Sequence, residues 1–179
     1  MAEKGLATYL EDHLAGATAA IEMLKNLEEE HAGQPLAGPL SEIRDEIQSD
    51  RATLAAFSER AGRGEHSVKE AAARLGESLS RWKLERGAAG PLGTFQALEF
   101  LALGIWGKRA LWRALRATEG LAAHVGSSEA DLDRLIRRAE EQHHKVDELR
   151  LRSAGEALTP DAEAASRRAS RNLGGPGRP

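Results

Sequence analysis

No cysteine occurs among the 179 residues. Its absence excludes a disulfide framework, a thiol nucleophile and any thiolate metal site, and it fits a reducing cytoplasm. Aromatic residues are scarce at 4%, which argues against a large aromatic-lined cofactor pocket. A basic excess is missing too. The net charge is −3, whereas nucleic-acid binders carry a positive surplus, so no nucleic-acid partner is expected. No apolar run approaches the roughly 18 residues of a membrane span. The most apolar stretch, 95–106, gives way to Lys108 and Arg109. The first ten residues include Glu3 and Lys4 and no apolar signal region. These absences together predict a cytoplasmic protein with no membrane association.

What is present is helical periodicity. Prolines and glycines cluster between long segments whose apolar residues recur at three- and four-residue spacing. Five helices are predicted, over 6–31, 39–61, 66–86, 94–117 and 128–157. The first carries the stripe Leu6, Leu10, Leu14, Ala17, Ile21 and Leu24. The second has a strict heptad seam of Leu40, Ile43, Ile47, Asp50, Leu54, Phe57 and Ala61, with Ser41 expected to help cap its first turn. Val68, Leu75, Leu79 and Trp82 mark the third. The fourth is apolar over more than half its circumference, and Lys108 and Arg113 are read as its outward basic residues. The fifth opens with Ser128 and Asp131, spaced as a capping box.

Residues 159–179 lack an apolar period and are predicted to be a disordered tail on a bundle domain of residues 1–158. Short connections make neighbouring helices antiparallel, so the fold class is an all-α antiparallel bundle of about five helices. Residues 1–61 carry 5 basic and 12 acidic side chains, while 62–127 carry 10 and 6. The two halves therefore attract each other within the bundle.

Polar residues on apolar stripes are the candidates for chemistry. His13 lies at the edge of the first stripe, suited to a metal, a proton or a carbonyl hydrogen bond. Asp50 interrupts the second seam and must be paired, coordinated or protonated if buried. Arg109, among Leu98, Leu101, Ala102, Ile105 and Trp112, is its expected partner in a structural ion pair. Glu99 sits on a flank of the fourth helix. Glu140 and His143 share a face of the fifth, where both can reach one metal ion.

Two long helices, a crossover region and two more long helices, with Glu140-x-x-His143 on the last, resemble the ferritin-like superfamily. The resemblance implies an up-down bundle with a dinuclear iron or manganese site, to which His13, Asp50, Glu99, Glu140 and His143 would contribute. The chain departs from that pattern. Thr53, not a histidine, stands three residues after Asp50, and Glu11, Asp12 and Glu22 are read as pointing away from the core. Arg109 adds a cation that opposes a divalent metal. The segments 9–16 and 107–112 also look like those of small bacterial bundle proteins, a likeness that carries no activity. With no phosphate loop and no nucleophile elbow, the leading expectation is a non-enzymatic bundle without a cofactor. It would act through protein contacts, as a monomer or a homodimer. The alternative is a degenerate ferritin-like metalloprotein.

Overall fold

The computed structural model describes residues 2–62 and 90–159. Helix α1 spans Ala2–Glu30 and α2 spans Ala37–Arg60. Helix α3 is Pro91–Ala117, α4 the single turn Leu121–His124, and α5 Glu129–Leu158. The described chain is all-helical and forms an antiparallel bundle, as its periodicity requires. The predicted third helix, 66–86, lies outside the described residues. So does the predicted tail, apart from Thr159.

The boundaries have local causes. Proline at the first position of α3 has the φ a helix needs, and Gly90 ahead of it takes φ +92°, a region that favours glycine. The capping box at α5 forms: the Asp131 N–H donates to Ser128 Oγ at 3.1 Å, and the Ser128 N–H donates to Asp131 Oδ2 at 3.2 Å. Ser41, by contrast, does not cap α2. That helix starts four residues earlier, and Ser41 Oγ accepts from Arg44 instead.

Two antiparallel hairpins, α1–α2 and α3–α5, pack face to face. The end of α1 meets the start of α3, where His31 Nε2 lies 2.9 Å from Thr94 Oγ1 and the Gly90 N–H donates to Glu30 Oε1 at 3.1 Å. Helix α2 runs against α5. Glu46 pairs with Lys145 at 2.6 Å, and Arg60 donates to the Val125 carbonyl at 3.2 Å. Gly126, beside that contact, takes φ +69°, a region that favours glycine. Helix α2 therefore ends and α3 begins at opposite ends of the bundle.

Among the described residues the core is one cluster drawn from the four long helices. Leu10, Leu14 and Leu24 meet Leu40, Ile43, Leu54, Leu98, Leu101, Trp112, Leu132 and Val146. Trp112 is fully buried, edge-on to Phe57 with ring centroids 5.9 Å apart. One expectation fails on α1. Glu11 is buried, because Ala7 and Ala15 one turn either side extend a second buried line along the helix.

Candidate functional site: a buried charged layer beside an apolar cavity

Three seam positions at one level of the bundle are polar. Asp50 follows Ile47 on α2, Lys108 follows Ile105 on α3, and Gln142 follows Ala139 on α5. Asp50 is 2% exposed and Gln142 fully buried. The Lys108 ammonium donates to Asp50 Oδ2 at 2.5 Å and to Gln142 Oε1, while Gln142 Nε2 donates to the same Asp50 oxygen at 3.1 Å. Arg138, one turn before Gln142, donates to the other oxygen, Asp50 Oδ1. One carboxylate thus faces two cations in a largely buried layer.

The expected Asp50–Arg109 pair does not form. Arg109 points to the outer side of α3, where its Nη2 binds Glu140 Oε1 at 2.6 Å and its guanidinium stacks 4.6 Å from the Trp106 ring centroid. Lys108, read as outward from the sequence, takes the inner position. It lies seven residues after Leu101, three after Ile105 and four before Trp112, the spacing of one seam. Asp50 was singled out by the same rule. Gln142 and Arg138 were missed, although Ala139, Gln142 and Val146 follow that rhythm as well.

The five metal-ligand candidates do not converge. Glu140 is held by Arg109, Glu99 faces Arg150 at 3.7 Å, and the His143 ring packs 5.1 Å from that of Trp106. His13 stands edge-on to Tyr9 on α1, and burial lowers its pKa against the opposing pull of Asp12. Among the described residues, no three histidine, aspartate or glutamate side chains form a group suited to a metal ion. The physical reason lies at Asp50, whose oxygens are occupied by Lys108 and Arg138. Two cations beside this carboxylate do not fit a dinuclear metal site.

A cavity of about 520 Å3 adjoins the charged layer, bounded by α1, α2 and α3. It exists because the facing residues are small: Gly16, Ala17 and Ala20 on α1, and Gly104 and Gly107 on α3. A Cβ built on Gly16, Gly104 or Gly107 would meet nothing within 4 Å. Met23, Ile47, Leu54, Leu101 and Ile105 add apolar wall. Among the described residues, polar lining is confined to Asp12, His13, Asp50, Arg51 and Lys108, with Trp112 beside them. The Trp112 indole N–H is buried and has no hydrogen-bond acceptor among the described residues. Because Gly104 is helical, with space around its missing Cβ, Gly104→Ala is expected to stabilise the protein by about 0.5–1 kcal/mol. A urea melt checks this.

Desolvation lowers the Lys108 ammonium pKa to about 7, against the opposing pull of Glu46. Below pH 7 the folded and unfolded chains both hold the Lys108 proton, and the full cost of burying the charge is present. Between pH 7 and the ordinary value of 10.5, the unfolded chain binds more protons, so this group makes stability rise with pH. The slope approaches about 1.4 kcal/mol per pH unit at most. Urea melts from pH 6 to 10 are expected to show the wild type gaining on Lys108→Met across that window. Parallel curves would exclude the titration.

The chain matches no protein-family model, no curated protein and no solved structure. No helix among the described residues is long and apolar enough to cross a membrane.

Proposed function

We propose that the bundle binds a small, largely apolar molecule ending in a carbonyl oxygen, as an acyl-chain acid or aldehyde does. The observation that carries this reading is a surplus of donors on the wall of an otherwise apolar cavity. Lys108 has three N–H donors, and Asp50 and Gln142 account for two. The Trp112 N–H is also without an acceptor among the described residues, and Asp50 is already shared by two cations. The cavity volume, about 520 Å3, lies within the range of small-molecule sites. An oxygen placed at the charged layer would satisfy the donors, and its chain would lie along Met23, Leu54 and Ile105.

Displacement of a fluorescent apolar dye by decanoate tests this. Decanoate is expected to displace the dye from the wild type. Gly104→Leu, which places a branched side chain on the cavity wall one turn before Lys108, is expected to abolish displacement. Lys108→Met is expected to weaken it about tenfold or more, the worth of one charge-assisted hydrogen bond. Equal displacement from wild type and Gly104→Leu would refute the reading.

A second reading, self-association, rests on Leu103 and Trp106, which are 68% and 51% exposed three residues apart on α3. The occupant of that face would be a second copy, closed by a two-fold axis. Light scattering over a concentration series decides it, since a mass of 19.3 kDa throughout would leave no dimer.

A further inference from the structure

We propose that Lys108 holds aldehydes in this cavity covalently, as an imine on its side-chain nitrogen. The inference rests on the cavity reading above and adds chemistry to it. Lys108 lines the wall of an apolar chamber, and its Nζ is within hydrogen-bond range of a carboxylate that lines the same chamber. Imine formation needs both. The amine must lose a proton to attack, and a nearby base must take that proton and later return it.

Asp50 Oδ2, 2.5 Å from Nζ, is positioned for both transfers. The Lys108 ammonium passes a proton to Asp50, and the freed nitrogen lone pair attacks the carbonyl carbon. The new nitrogen centre passes one proton to the alkoxide, giving a carbinolamine, which then loses its hydroxyl as water using the proton that Asp50 returns. One C–N bond forms and the C–O bond breaks. Aldehyde and ammonium become a protonated imine and one water, with no oxidant or reductant. The product keeps a positive charge, and Asp50 remains beside it as counter-ion. Gln142, fully buried, holds the same Asp50 oxygen and fixes the carboxylate as the amine changes state. Burial supports the scheme as well, because the lowered ammonium pKa of Lys108 supplies free amine near neutrality.

The test uses the full chain, decanal as probe and cyanoborohydride to fix any imine. Peptide mapping is expected to place the reduced adduct on Lys108 about tenfold faster than on the exposed Lys25 or Lys145, because the cavity holds the aldehyde beside the Lys108 side chain. Excess decanoate is expected to block it. Lys108→Arg keeps a cation beside Asp50 but has no amine to condense, so it should yield no adduct at this position. If decanal displaces the dye from the wild type but Lys108 is labelled no faster than surface lysines, the covalent step is refuted and the cavity reading stands. Failure of both decanoate and decanal to displace the dye overturns both.

Discussion

Replacing Asp50 with leucine is expected to destabilise the bundle by about 3–5 kcal/mol, because it strands buried cations without their anion. For a chain of this size that corresponds to a melting temperature lower by roughly 10 °C. The cost falls unequally on the two partners. The Arg138 side chain is 36% exposed and can turn toward water, whereas that of Lys108 is 11% exposed and enclosed by the core. Lys108 escapes by releasing its proton, and without Asp50 it does so at lower pH than in the wild type, so the loss should shrink as pH rises toward about 7 and level off above it. Adding Lys108→Met to Asp50→Leu removes the stranded charge and fills the seam with apolar atoms. The double variant is expected to recover most of the loss. Urea melts of the wild type, both single variants and the double variant form the required cycle. Additive effects would mean that Asp50 and Lys108 do not share one interaction.

The same cluster shows where sequence reasoning stops. A seam position is legible: Asp50 recurs with Ile47 and Leu54 at three- and four-residue spacing, and it is buried as that spacing predicts. Choosing its partner is harder. Lys108 and Arg109 are adjacent, so they differ by about 100° around α3, and only the chain of Leu101, Ile105 and Trp112 separates inner from outer. Lys108 lies on that line, while Arg109 reaches Glu140 on the outer side. Long basic side chains also blur the distinction, because their stems pack on apolar surface wherever their heads end. Gln142 is less legible for a different reason: an uncharged amide can be buried or exposed at little cost once hydrogen-bonded, so only its spacing from Ala139 and Val146 fixes its direction. The four-residue α4 has no apolar period to reveal it. Conversely, the capping box at Ser128 depends on two residues three apart, and it forms as the sequence predicts. The cavity follows from small residues on facing helices, a relation between α1 and α3 that no single helix contains.

Trp112 divides packing from recognition, and two substitutions there should behave differently. Trp112→Ala removes a fully buried indole and its edge-to-face contact with Phe57, at an expected cost of about 3–5 kcal/mol. Trp112→Phe keeps an aromatic body in the same seam and deletes the N–H. That donor has no acceptor among the described residues, so losing it removes a desolvation penalty that offsets the smaller ring. Stability is expected to stay within about 1.5 kcal/mol of the wild type. The two readouts then separate. If the indole N–H receives the carbonyl oxygen of a ligand, Trp112→Phe should weaken decanoate binding about tenfold while the urea midpoint barely moves. If the N–H has no part in recognition, binding should follow stability and remain unchanged. Dye displacement and a urea melt on one preparation of this variant distinguish the outcomes, and undiminished affinity would remove Trp112 from the proposed donor set, leaving Lys108 alone to receive the oxygen.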